Sequence, residues 1–210
     1  METIVNIILD ESGSMSLVRD ATIDGFNKYV GDLKKATGNN IRLTLTKFSS
    51  VGTETPWLNK ELARVSPLTR ASYAPNGGTP LLDAIGGTIA KLDKDLSKRN
   101  SVKRAVLVVV ITDGEENAST EYNLQQIRQL IAAKEKEGWT WAYMGADQDA
   151  WGMASGYGFG SVMNTYNYAN TASDVTAAYA SLGVATLTWK EGSGRQHGKS
   201  SADFFDNKGG

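Results

Sequence analysis

Residues 105–111 read AVLVVVI, seven apolar residues in a row, five of them β-branched. A strand with one wet face alternates apolar and polar side chains. A strand without that alternation has to be covered on both faces. The run is also far short of the ~20 residues a helix needs to cross a bilayer. It therefore reads as a central strand of a parallel sheet, and the rest of the chain has to supply helices for both faces.

The flanking sequence does so. Residues 3–9, TIVNIIL, read as a strand, followed by a helix that Ser16 can cap and whose apolar face is Val18, Phe26, Tyr29, Val30 and Leu33. Gly38-Asn39-Asn40 ends it. IRLTLTKF at 41–48 is a strand with one drier face, carrying Ile41, Leu43 and Leu45, and Val51–Trp57 pairs back on it as a hairpin, with Pro56 suited to an edge. Residues 58–78 read as loop. A helix then starts at Thr79, with Pro80 in its first turn and a stripe of Leu81, Leu82, Ile85, Ile89, Leu92 and Leu96. After the basic hinge KRNSVKR and the central strand comes a helix over 120–137, with Leu124, Ile127, Leu130 and Ile131 inside and Gly138 at its end. WTWAYMGA at 139–146 is the next strand, with Trp139 and Trp141 filling core. A short helix over 148–156, a short strand over Gly158–Val162 and a final helix over 171–189, capped by Thr171 or Ser173, complete the pattern. Strand–helix alternation of this kind predicts an α/β fold: a doubly wound, mostly parallel, Rossmann-like open sheet with one antiparallel edge strand and helices on both faces. Residues 1–189 read as one domain, and 190–210 as a polar, Gly- and Ser-rich tail, loosely held apart from Phe204 and Phe205.

Composition removes several function classes. With 22 basic and 23 acidic residues the net charge is −1, so no basic excess drives binding to nucleic acid or anionic membrane. No cysteine is present, which excludes disulfides, zinc–thiolate sites and cysteine nucleophiles. The start, METIVNIILDESG, has no basic region before its apolar stretch and does not read as a signal peptide. A cytoplasmic location is expected, the host cytoplasm if a phage encodes the chain. The single histidine, His197, lies in the tail, so the commonest general base is not on offer.

Ligands on doubly wound sheets bind beyond the carboxyl ends of the strands. Three segments should meet there. The loop after the first strand supplies Asp10, Ser12 and Ser14, spaced D-x-S-x-S, with Gly13 allowing a tight bend. The helix start after two glycines supplies Thr79, and the loop after the central strand supplies Asp113, followed by Gly114. Two carboxylates and three hydroxyls, with no nitrogen or sulfur, suit magnesium, manganese or calcium. Taken alone, DESGS reads equally as a helix cap, with Ser14 or Ser16 in that role.

DESGS at 10–14, GGTPLLDAI around Thr79 and VVVITDG around Asp113, in that order and each at a strand or helix end, resemble the metal-ion-dependent adhesion site of von Willebrand factor type A domains. The resemblance covers about residues 1–189, and all five metal positions match its pattern. It implies that Ser12, Ser14 and Thr79 touch the cation directly, and that Asp10 and Asp113 act directly or through water. It further implies an open coordination position that accepts a Glu or Asp from a partner protein, hence a binding module rather than an enzyme. Met15, Gly78, Glu115 and Glu116 are the candidate partner-binding rim; Met15 reads equally as packed under the first helix, and the two glutamates as solvated loop acids. NTYNYANT at 164–171 is a candidate secondary contact surface. Two other functions compete. A magnesium-dependent phosphohydrolase would need a second acid where Ser12 stands, and a structural protein would use the metal to fix its loops.

Overall fold

The structure, a computed structural model, describes residues 1–36, 40–99, 103–146, 152, 155–157, 164–193 and 204–205. Along the chain these form β1 (Glu2–Asp10), α1 (Arg19–Lys35), β2 (Ile41–Ser49), β3 (Gly52–Glu61), α2 (Leu81–Leu96), β4 (Arg104–Thr112), α3 (Leu124–Lys136), β5 (Thr140–Ala146), β6 (Asn164–Tyr168) and α4 (Ala172–Ser193). The sheet order is β3-β2-β1-β4-β5-β6. Every neighbouring pair is parallel except β2–β3. This is the expected doubly wound α/β sheet with one antiparallel edge strand. β4 lies between β1 and β5, and its residues 105–112 are all buried, as an unalternating strand requires.

The pleat divides the core into two layers. Val5, Ile7, Leu9, Leu107, Val109 and Ile111 point into one, with Phe26, Tyr29 and Leu33 of α1 and Ala178 and Leu182 of α4. Ile4, Ile8, Val106, Val108 and Val110 point into the other, with Leu81, Ile85, Ile89 and Leu92 of α2 and Ile127 and Ile131 of α3. The α2 stripe is buried as its spacing predicts. Trp139 and Trp141 are core residues, as expected. Among the described residues no helix is long and apolar enough to cross a membrane.

Several expectations are corrected. The first helix does not begin at Ser16. A 3-10 turn over Gly13–Val18 comes first, Ser16 is an exposed residue inside it, and neither Ser12 nor Val18 gives a side-chain cap. β2 is buried on both faces rather than one, because α2 covers Thr44, Thr46 and Phe48; the Thr44 hydroxyl accepts from Asn59 N at 2.9 Å, which makes its burial tolerable. β3 runs on to Glu61 instead of stopping at Trp57, and it carries Glu54, Pro56, Lys60 and Glu61 along the sheet edge. The segment 62–78 is not a loose loop. Leu62, Val65, Leu68 and Tyr73 are buried against α1, where Asn27 pins Leu68 through two hydrogen bonds and Lys34 Nζ donates to Val65 O at 2.7 Å.

Further along, α3 starts at Leu124 behind an Asn123–Gln126 capping box, and Leu124 is 37% exposed rather than internal. The last strand is Asn164–Tyr168, so the NTYNY part of the candidate contact surface is the sheet's β6 edge; Tyr166 packs on Phe205. α4 passes through Gly183 to Ser193, and Thr171 Oγ1 accepts from Asp174 N at 3.2 Å as its cap. Phe204 is buried in the α1–α4 layer. Most of the expected 148–156 helix, the Gly158–Val162 strand, Gly38-Asn39 and His197 lie outside the described residues.

α1 and α4 meet at a glycine. A Cβ on Gly25 would lie 2.5 Å from Tyr179 Cδ2, whereas one on Gly31 of the same helix would meet nothing within 4 Å. Two alanine substitutions should therefore move stability in opposite directions. Gly25→Ala is expected to cost about 1–3 kcal/mol by overpacking, and Gly31→Ala to add about 0.5–1 kcal/mol by restricting the unfolded chain. Urea denaturation of both variants checks this; a stable Gly25→Ala would contradict the packing described.

Candidate functional site

β1 and β4 are adjacent and parallel, so the loops that follow them open at the same edge of the sheet. Asp10 is the last residue of β1 and is fully buried. Its Oδ1 accepts from Ser12 N at 2.7 Å and its Oδ2 from Thr112 Oγ1 at 2.6 Å, which ties the end of β1 to the end of β4. Ser12 Oγ lies 3.2 Å from Ser14 Oγ, and Ser14 Oγ donates to Asp113 Oδ1 at 2.6 Å. Thr79, itself buried, approaches from the start of α2. A Cβ on Gly114 would stand 3.0 Å from Thr79 Oγ1 and 3.8 Å from Ser14 Oγ, so the glycine after Asp113 leaves room for both hydroxyls. Asp10, Ser12, Ser14, Thr79 and Asp113 are thus brought to one place. Asp10, Ser12 and Thr79 form its buried floor, and Ser14 lies exposed at its mouth.

The site is electrically unusual. Burial pushes the Asp10 carboxyl up to about 6, against the opposing hydrogen bonds from Thr112 and Ser12, and the charge of Asp113 pushes it the same way. No ion pair to Asp10 is present among the described residues. Nor do any three Asp, Glu or His side chains gather there as a metal cluster. A cation at this place would be held by two carboxylates and three hydroxyls. That all-oxygen set fits a hard dication, and the desolvated Asp10 carboxylate fits a positive charge close by.

Backbone and side-chain bonds hold the three loops in register. Gly13 N donates to Gly77 O at 2.9 Å, Asn76 N to Glu11 O at 2.8 Å, and Tyr73 OH to Asp10 O at 2.6 Å. Asn117 grips the Thr79 peptide from both sides: its Oδ1 accepts from Thr79 N at 2.9 Å, and its own N donates to Thr79 O at 3.1 Å. Asn170, just before α4, donates from Nδ2 to Asp113 Oδ2 at 3.2 Å. Burial holds the Tyr73 phenol well above its usual value, so it stays a neutral donor.

The candidate rim fares differently. Met15 is 1% exposed and packs into the α1 layer, because the 3-10 turn aims it inward; it cannot be rim. Glu116 is neither rim nor a solvated acid. Its carboxylate accepts from Leu82 N, Ala118 N, Ser119 N and Ser119 Oγ at 2.7–2.9 Å, serving one orphan N–H at the start of α2 and the loop's own N–H groups. Gly78 is half-buried and bonded to Ser50 through its N–H and carbonyl, and Glu115 is exposed. The helix-cap reading of DESGS also fails, since the Ser14 hydroxyl serves Asp113, not a helix N–H. Sequence reasoning missed Thr112, Tyr73, Asn117 and Asn170. Thr112 was visible in the T-D-G triplet, and Tyr73 as a lone aromatic in a polar loop. Asn117 and Asn170 carry no local signal.

No family model matches the sequence, and no curated protein matches it. Solved structures do. The PilB minor pilin from Streptococcus sanguinis matches with TM-score 0.63 at 13% identity, over 89% of this chain and 61% of that one. A von Willebrand factor type A protein from Catenulispora acidiphila matches with TM-score 0.59 at 14% identity, over 89% of this chain and 43% of that one. The vWF domain of the type V pili tip protein Mfa5 from Porphyromonas gingivalis matches with TM-score 0.55 at 11% identity, over 94% and 97%. The chain therefore spans less than two thirds of the first two proteins. At these identities the likeness is one of fold, and the chain has a von Willebrand factor type A-like fold.

Tyr73→Phe removes one buried hydrogen bond and leaves the Asp10 carbonyl short of a partner. It is expected to cost about 1–2 kcal/mol of stability without changing the fold. Chemical denaturation measures the cost, and a neutral substitution would show that the loop does not depend on this bond.

Proposed function

We propose that this chain is a metal-dependent protein-interaction module that captures a Glu or Asp of a partner protein. The observation that carries the reading is the 2.6 Å contact between Ser14 Oγ and Asp113 Oδ1, which joins donors 99 residues apart above the buried Asp10. Ser12, Ser14 and Thr79 would hold the cation through hydroxyls, and Asp10 and Asp113 through carboxylates. Magnesium is the first choice, and manganese or calcium suits the same oxygens. When bound, the ion supplies a Lewis-acidic position for an external carboxylate.

The residues support this in three ways. Three of the five donors are neutral hydroxyls, so the donor carboxylates only balance a dication and an open position on it can still take an external carboxylate. The exposed Ser14 would put that open position at the surface. Basic side chains tied to the neighbouring loops are already engaged: Arg70 pairs with Asp20, Arg19 donates to the carbonyls of Tyr73 and Arg70, and Lys47 pairs with Glu11. A partner's acid would thus be recognised through the ion rather than by these cations.

The chain is proposed not to be an enzyme. Both Asp10 oxygens are occupied by hydrogen bonds in a fully buried position, which does not suit a phosphohydrolase nucleophile, and Ser12 stands where that chemistry needs an acid. A role in which metal merely fixes the loops would leave partner binding insensitive to chelation.

Titration calorimetry of the chelator-treated chain with manganese should show one saturable event that is absent in Asp10→Ala. Partner recovery from the native host should require magnesium and fail with chelator and with Asp10→Ala; equal recovery in all three refutes the reading. Melting should also cross over. In chelator, Asp10→Asn is expected to exceed the wild type by roughly 1–3 kcal/mol, because it removes a buried charge. With manganese added, the wild type should become the more stable of the two.

A further inference from the structure

Resting on the cation-dependent reading above, we infer that the Lys47–Glu11 ion pair sets the electrical balance of the site, so that a bound dication faces a partner's acid without net negative charge around it. Glu11 is the second residue of the D-x-S-x-S stretch, an acid placed among the donors. Its backbone is fixed on both sides, with N donating to Phe48 O at 2.8 Å and O accepting from Asn76 N at 2.8 Å. Its side chain is fixed as well. Oε1 accepts from Ala74 N at 2.6 Å, and the two carboxylate oxygens lie 3.2 and 3.1 Å from Lys47 Nζ.

Lys47 comes from β2, where it is in register with Leu9, and its side chain is 6% exposed. A lysine buried this deeply is screened weakly by salt and acts on its surroundings at close to full strength. Its second partner, Glu54 at 3.2 Å, is 73% exposed, so solvent and salt damp that charge. Tyr73 OH donates to Asp10 O at 2.6 Å and the next residue, Ala74, donates its N–H to Glu11 Oε1 at 2.6 Å, so the Lys47–Glu11 pair is fastened beside the Asp10 end of the site.

The charges then balance. Asp10, Glu11 and Asp113 carry three negative charges and Lys47 one positive charge; a dication brings the group to neutrality. Without Lys47 the loaded site would be anionic and would repel an approaching carboxylate. Without Glu11 it would be cationic and would hold its own ion less firmly. Lys47 thus weakens cation uptake and, in exchange, leaves the site receptive to an acid.

The sign of the effect separates this from a merely structural role. Manganese binding to the full chain is measured by titration calorimetry for the wild type, Lys47→Met, Glu11→Gln and the double variant. Lys47→Met is expected to bind about tenfold more tightly, Glu11→Gln about tenfold more weakly, and the double variant within about threefold of the wild type. The dependence of affinity on ionic strength should steepen in Lys47→Met and flatten in Glu11→Gln. If every variant binds more weakly, or Lys47→Met is unchanged, the pair is a structural staple and the inference is overturned. If Lys47→Met does not fold, the salt dependence of Glu11→Gln decides, and a slope equal to that of the wild type overturns it. A wild type that takes up no manganese would instead overturn the cation reading itself.

Discussion

A carboxylate stands at the dry end of a core strand, and the rest of the candidate site is arranged around it. β1 is buried along nearly its whole length, and Asp10 closes it with no exposed surface. Ionising such a group costs folding free energy unless something positive or strongly hydrogen-bonding lies near. Ser12 N and Thr112 Oγ1 supply part of that compensation. They also fix the chain path: one bond curls the first loop back over the strand end, and the other ties β1 to β4. The neighbouring oxygens of Ser12, Ser14 and Asp113 follow from those two constraints.

The loops themselves are rigid for reasons unrelated to ligand contact. Carboxylates that look like surface decoration are spent on backbone N–H groups. Glu116 serves Leu82, Ala118 and Ser119, and Asp83 accepts from the N–H groups of Thr120, Glu121 and Tyr122. The segment after β4 is thereby fastened to the first turn of α2, which brings Thr79 and Asp113 together. Preorganisation of this kind reduces the entropy that ordering the loops would otherwise cost on binding.

Much of this was legible in the sequence. AVLVVVIT could only be a covered parallel strand, and the α2 stripe could only be a buried helix face, because hydrophobic period reports burial directly. The candidate donors were readable from position: Asp10, Ser12, Ser14 and Asp113 follow the ends of apolar runs, and Thr79 opens a helix after two glycines. Other features were hidden by tertiary context. β2 reads as half-wet because Thr44 and Thr46 are polar, yet both find hydroxyl or amide partners under α2. NTYNY has little apolar content, yet strand pairing with β5 makes it the sixth strand. The inward turn of Met15 and the capping role of Glu116 depend on a 3-10 turn and on a helix start 34 residues away, and neither leaves a periodic trace. Asn170 reaches Asp113 across 57 residues, a contact no local pattern encodes.

The antiparallel edge has a further consequence. Pro56 offers no N–H to a newcomer, and Glu54, Lys60 and Glu61 set alternating charge along β3. Such a border is a poor template for adding another strand. Copies of this chain at high concentration are thereby discouraged from zipping together into continuous sheets or fibrils along that border, and any higher-order structure they enter has to be assembled through loops and side chains, one reversible contact at a time.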